Sequence, residues 1–206
     1  MTELIIRCQG LSPMLMNPMT NETLTSLITG LRKAPNKDRL LTDVASERIY
    51  RDEEGRMGFP TINLIGALKH AGRNVKNGKK AISTATSTTL FSFLDFPEEF
   101  VTFDGLDEKG EIPWKVDARR GVMKNGASSV AVGIVRPKFT EWSFTIKANL
   151  DEKLIREEMI KALFVEAGRN AGLCDFRPSR NGPFGRFEVV EFKSNGDSIG
   201  ASKSGK

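Results

Sequence analysis

The sequence is poor in the residues that most often carry chemistry. Among 206 residues it has two cysteines, Cys8 and Cys174, one histidine, His70, and one tyrosine. The two thiols and the imidazole cannot complete a four-ligand zinc site without carboxylates. Two cysteines do not make a disulfide scaffold, and the plain reading is a pair of reduced thiols in a reducing, cytoplasmic compartment of a bacterial cell. No apolar run approaches the roughly 18 residues of a membrane helix, and residues 1–7 lack the form of a signal peptide. The phosphate-binding G-x-x-x-x-G-K-[ST], the zinc-binding H-E-x-x-H and the nucleophilic G-x-S-x-G are all missing. Gly168 and Gly172 do not follow a strand, so no dinucleotide fingerprint is supported. Asp95 with Asp104, or Asp175 with Glu188, is too common a pairing to signal a metal. No cofactor, no metal and no catalytic residue is therefore expected.

Acid is also missing locally. Residues 55–94 contain no Asp or Glu but hold Arg56, Lys69, Arg73, Lys76, Lys79 and Lys80. Residues 112–140 carry Lys115, Arg119, Arg120, Lys124, Arg136 and Lys138 against Asp117 alone. The acids gather at 52–54, 95–111 and 151–166. The net charge of +5 is thus segregated, and a positive face favours phosphate backbones. Hydrophobic residues at 39% and charged residues at 28% are those of a globular chain with a real core.

The patterning predicts a first strand at 4–8, followed by a Met-rich stretch at 14–19 whose side chains either fill core gaps or form a lip beside a ligand. Residues 20–38 read as irregular or weakly helical. Helical spacing predicts a helix over 40–50. A second is predicted over 61–73, capped by Thr61 and burying Ile62, Ile65, Leu68 and Ala71. Gly66 inside it points to a close packing contact. Residues 74–90 read as a mobile basic loop. Phe91, Phe93 and Phe96 are either core or stacking platforms. Alternation predicts strands at 99–103 and 142–148, with a basic, hairpin-like excursion at 114–135 between them. A helix capped by Asp151 is expected to bury Ile155, Met159, Ala162, Leu163 and Ala167. A last strand is expected at 184–192. The order strand, helix, strand, strand, helix, strand suits a ferredoxin-like α+β sheet with both helices on one face.

Between the last helix and last strand lies Gly172-Leu173-Cys174-Asp175-Phe176-Arg177-Pro178-Ser179-Arg180-Asn181-Gly182-Pro183-Phe184-Gly185-Arg186-Phe187. Glycines allow backbone N–H groups to approach an anion. Arg177, Arg180 and Arg186 can grip phosphates, and Phe176, Phe184 or Phe187 can stack a base. The alternative is that Asp175 pairs with Arg177 or Arg186 while the phenylalanines close the core.

Three stretches together resemble the RAMP superfamily, the ferredoxin-like proteins of CRISPR RNA complexes. They are the loop 11–16 with Ser12-Pro13, the helix start 59–69 with Phe59-Pro60 and Gly66-Ala67-Leu68-Lys69, and the loop 182–187, Gly-Pro-Phe-Gly-Arg-Phe. The chain is also similar to phage and prophage proteins of about this length with the same opening and ending. The resemblance implies a single RRM-like domain over 1–193, with a helical insertion at about 20–58 and a thumb-like basic hairpin at about 105–140; the Ser-, Gly- and Lys-rich composition of 194–206 predicts a disordered tail. It implies a sequence-nonspecific binder of single-stranded nucleic acid, DNA favoured over RNA, oligomeric along the strand. The expected contact residues are Arg177, Arg180, Arg186, Gly182, Gly185, Phe176, Phe184, Lys69, Arg73, Lys76, Lys79, Lys80, Arg119, Arg120 and Lys124. The nucleases of the family rely on a histidine. With His70 alone and inside a helix, cleavage of RNA is the alternative rather than the main expectation, as is binding to a CRISPR complex.

Overall fold

A computed structural model describes residues 1–31, 39–125 and 128–195; the side chains of 123–125 and 128 are outside the description as well. In chain order the strands and helices are β1 (Thr2–Gly10), β2 (Met14–Leu15), α1 (Asn21–Thr29), α2 (Leu41–Ser46), β3 (Gly58–Pro60), α3 (Thr61–Ala71), β4 (Lys76–Asn77), β5 (Lys80–Ala81), β6 (Leu94–Asp95), β7 (Phe100–Thr102), β8 (Lys115–Asn125), β9 (Ser128–Phe139), β10 (Ser143–Leu150), α4 (Glu157–Glu166) and β11 (Phe187–Asn195). A π-helical turn, Ala167–Ala171, continues α4, and a 3-10 turn, Pro178–Arg180, lies in the loop before β11.

The fold is α+β. Its main sheet has the order β11-β1-β10-β6, antiparallel throughout. The period-two pattern reads directly into burial: Leu4, Ile6 and Cys8 on β1 and Phe144, Ile146, Ala148 and Leu150 on β10 are all buried. The alternate positions Ile5, Arg7, Thr145 and Lys147 point to the other face, where Arg7 pairs with Asp104 at 3.3 Å. Helices α3 and α4 pack against each other, and α4 packs on β11. Phe144 sits at the centre of an aromatic cluster. Its ring meets Phe59 edge-on at 5.1 Å and Phe187 at 5.8 Å, and it stacks with Trp142 at 6.2 Å. Trp142 Nε1 donates to the Ser12 carbonyl at 2.9 Å, which ties the loop after β1 to the start of β10. Met14 and Met16 are fully buried, so the Met-rich stretch fills the core; Met19 is exposed.

Several expected boundaries move. Strand β7, within the expected 99–103, pairs with β3 and stays out of the main sheet; β6 takes the edge beside β10. Pro60, not Thr61, is the N-cap of α3, and the Thr61 hydroxyl donates to the Glu98 carbonyl at 2.6 Å. The buried stripe of α3 is Thr61, Leu64, Ala67, Leu68 and Ala71, leaving Ile62 65% exposed. Helix α4 starts after Arg156, because Asp151 accepts from the Lys153 amide in a separate turn. Its core residues are Ile160, Leu163 and Phe164, with Ile155 buried ahead of it and Ala162 exposed. The 40–50 helix is shorter, and Leu40 and Leu41 are exposed. Helix α1 is a full element within 20–38, the stretch expected to be irregular or weakly helical; it is capped by the Thr20 hydroxyl and has no buried residue. Residues 74–90 are ordered by the β4–β5 pair, a Ser83–Thr88 bridge and a turn in which the Thr84 hydroxyl accepts from the Thr86 and Ser87 amides. The basic excursion is one long hairpin, β8 against β9. Strand β11 starts three residues later than expected and runs on to Asn195. The expected tail from 196 on, and 32–38 of the helical insertion, lie outside the described residues.

The close contact expected at Gly66 does not exist: a Cβ there would meet nothing within 4 Å. At Gly168, in the π-helical turn, a Cβ would come within 2.0 Å of the Phe187 carbonyl oxygen. Gly66→Ala is expected to stabilise the protein by about 1 kcal/mol, the helix-propensity difference. Gly168→Ala is expected to destabilise it by about 1–3 kcal/mol or more through overpacking. Urea unfolding midpoints of the two variants should move in opposite directions.

Candidate nucleic-acid interface

Three separate parts of the chain meet in one basic cleft. The end of α3 supplies Gly66, Lys69, His70 and Arg73; the loop before β11 supplies Arg177, Ser179 and Arg180; the turn at 84–87 forms the third wall. The cavity is about 470 Å³ and no Asp or Glu lines it. Lys69 and His70 project from the last turn of α3 because they follow Leu68 out of the buried stripe. Arg177 is held in place: its Nη1 donates to the Cys174 carbonyl at 2.5 Å and its Nε to Ser179 Oγ at 3.0 Å. Arg180 is exposed on the 3-10 turn, whose N–H groups close on Arg177 and Pro178 carbonyls.

His70 is half-buried in this wall. Burial pushes its imidazole below the usual range, and Arg73 and then Arg177 push the same way, against Glu166. Glu166 accepts from Asn74 at 2.6 Å and Asn170 at 2.9 Å. Cys174, just behind the cleft, is raised by burial to about 12 and stays a thiol.

The glycines of the loop do different work from that expected of them. The Gly182 amide donates to the Arg177 carbonyl at 3.0 Å and the Gly185 amide to the Pro13 carbonyl at 2.8 Å, so both N–H groups are already engaged. A Cβ at Gly182 would meet the Phe176 carbonyl oxygen at 1.8 Å, and one at Gly185 the Leu173 carbonyl oxygen at 2.1 Å. These glycines let the loop fold onto itself. Cys174, Phe176 and Asn181 adopt positive φ without being glycine, at 60°, 48° and 59°. Such backbone persists only where its surroundings over-determine it.

Behind the loop lies an ion network that the sequence did not disclose. Arg136, on β9 and 5% exposed, donates from Nη1 to Asp175 at 2.9 Å and from Nη2 to Asp117 at 3.1 Å. Asp175 is therefore paired, but with neither Arg177 nor Arg186. Arg119 donates to Asp117 at 2.7 Å and lies over the Phe184 ring at 5.0 Å. Arg136 lies 5.9 Å from the Phe176 ring, and Phe176 and Phe184 are 5.9 Å apart. The only signal in the sequence was Asp117, alone among the bases of its segment.

The other expected contact residues are dispersed. Phe187 is fully buried and Phe184 is 8% exposed, while Phe176 is 38% exposed and next to Arg177. Arg186 is exposed and its Nε donates to the Arg169 carbonyl at 3.2 Å, outside the cleft. Lys76, Lys79 and Lys80 are exposed on the β4–β5 pair and do not line the cleft. Arg120 is exposed on β8; Lys124 lies on the same strand, its side chain outside the described residues. Among the described residues no group of three or more His, Cys, Asp and Glu could hold a metal, and no helix is long and apolar enough to cross a membrane. Asp104 is paired with Arg7 and Asp175 with Arg136. A scan against protein-family models and a search of curated proteins return no match.

Removing Arg136 leaves two carboxylates facing a buried gap, although Asp117 keeps Arg119. Arg136→Met is expected to cost about 3 kcal/mol, the low end for breaking a buried pair, while Arg120→Met on the exposed face stays within about 0.5 kcal/mol. Urea denaturation measures both. Sulfate, a dianion across the imidazole range, probes His70. An anion in the cleft favours imidazolium, so sulfate affinity should rise as pH falls from about 8 to about 5. Isothermal titration should show that rise in the parent protein and a flat profile in His70→Gln.

Proposed function

We propose that the chain binds single-stranded nucleic acid, DNA or RNA, as a RAMP-like protein with a ferredoxin-like core. The observation that carries this reading is the convergence of Lys69, Arg73, Arg177 and Arg180 on one cleft free of acid. Four clustered cations attract an anion, and arginines bind phosphate oxygens with two hydrogen bonds each. Phe176 supports the reading, because a strained backbone holds its ring partly exposed beside Arg177. A base stacked there continues a strand whose phosphate occupies the cleft. The sheet order supports the ferredoxin-like core: β1 and β10 are central, β6 and β11 are at the edges, and α3 and α4 fall in the two crossovers. The basic hairpin takes the place of the thumb. Its Arg119 and Arg136 are engaged in holding the loop. Subunits side by side along the strand, in the cytoplasm of a bacterial or phage-infected cell, complete the proposal.

The presence of His70 in the cleft favours one second reading, cleavage of RNA with His70 as general base. A lowered pKa keeps the imidazole neutral and able to accept a proton. RNA incubated with the protein separates the two readings: it is recovered intact if the cleft only binds, and it is cut, with loss of cutting in His70→Ala, if the cleft cleaves.

Binding is expected for short thymidylate or uridylate strands at low salt, with little preference for sequence. Each phosphate neutralised adds about −0.7 to the slope of log K against log salt. Arg73→Ala with Arg180→Ala should therefore flatten that slope by about 1.4. Phe176→Ala should weaken binding by about 1–3 kcal/mol with the slope unchanged. Fluorescence anisotropy over a salt series reads all three. A folded protein that fails to bind any strand at low salt overturns the proposal.

A further inference from the structure

The cleft holds more positive charge than a passing strand requires. Lys69, Arg73, Arg177 and Arg180 share a cavity of about 470 Å³, and among the described residues none of the four makes an ion pair. An internal phosphodiester brings a single negative charge. A terminal phosphate brings about −1.5 to −2 and three strong acceptor oxygens, and a polyphosphate brings more.

The size of the cavity points the same way. Single-strand binders lay about 4–16 nucleotides along an open groove per domain. A site of about 300–1,000 Å³ is that of a small ligand, and this cavity falls within it. Its walls come from three directions: the end of α3, the turn at 84–87 and the 3-10 turn Pro178–Arg180. Arg177 is already oriented by the Cys174 carbonyl and Ser179 Oγ. Such a guanidinium loses little freedom when it meets a compact, highly charged group.

We infer that the cleft is built for the phosphorylated end of a strand, a phosphate monoester or polyphosphate, in preference to an internal phosphodiester. The terminal group occupies the cavity and the chain leaves past Phe176. This rests on the nucleic-acid reading of the same cleft and adds to it a preference for ends.

The test uses the full chain and short homopolymer strands of one sequence. These carry a 5′-hydroxyl, a 5′-monophosphate, a 5′-triphosphate or a 3′-phosphate; ATP and inorganic tripolyphosphate are the free-ligand arms. Affinity is expected to rise from the hydroxyl to the monophosphate to the triphosphate, spanning at least about tenfold, or about 1.4 kcal/mol. The double variant Lys69→Ala, Arg180→Ala changes two exposed side chains, and circular dichroism verifies its fold. It should bind all strands alike, and more weakly than the parent binds the hydroxyl strand, because two phosphate-contacting cations are gone. Equal affinity for all strands in the parent protein overturns the end preference and leaves strand binding standing. A preference that persists in the double variant overturns the assignment to this cleft. ATP or tripolyphosphate binding as tightly as the triphosphate strand overturns the strand as the source. Absence of binding by every strand overturns both readings.

Discussion

The ordering of the C-terminal loop depends on one buried guanidinium. Arg136 reaches from β9 to Asp117 on the neighbouring strand and to Asp175 in the loop. A buried cation must be paired and hydrogen-bonded to be tolerated, so the hairpin and the loop are committed to each other. The loop is then stitched to the segment after β1, with the Asp175 amide donating to the Leu15 carbonyl and the Gly185 amide to Pro13. Only in such a frame do Cys174, Phe176 and Asn181 hold left-handed backbone. Arg177 and Arg180 extend from that frame, and their position at the cleft follows from it.

The basic residues therefore divide into two populations that composition alone does not separate. Arg119 and Arg136 are partnered by Asp117 and Asp175 and by the rings of Phe184 and Phe176. They are structural. Lys69, Arg73, Arg177 and Arg180 face one another across a cavity without a carboxylate among its lining residues. The difference lies in what surrounds each charge, since a basic residue beside a buried acid contributes little to the field outside the protein.

Much of the frame was legible in the sequence and its joints were not. Strand β10 follows from alternation, β1 from a short apolar run with β-branched residues, and α3 from its helical spacing. Asp151 fits an N-cap as well as it fits the turn it actually closes, so the start of α4 was misread. Thr61 was misplaced for the same reason, its hydroxyl turning to Glu98. Strand β6 has two residues and no period to read, whereas 99–103 alternated clearly but gave no sign that its partner is β3. In the loop, composition identified the arginines and glycines. It did not show that the glycine N–H groups are satisfied internally, nor which of the expected basic residues would meet Arg177 and Arg180: Lys69 and Arg73 do, and Lys76, Lys79 and Lys80 do not. That meeting is set by the packing of α3 against α4 and its π-helical turn.

Part of the cleft has a local explanation. Lys69 and His70 lie in the last turn of α3, where the helix dipole stabilises positive charge. That accounts for two residues and not for the others. Arg177 and Arg180 belong to a different element, gain nothing from that dipole and add repulsion to it. Like charges gathered in a partly enclosed space lower stability unless something neutralises them. Dispersing Arg180 would cost the loop little, since it is exposed and makes no ion pair among the described residues. On the proposed function, the repulsion among four cations becomes attraction once an anion lies between them.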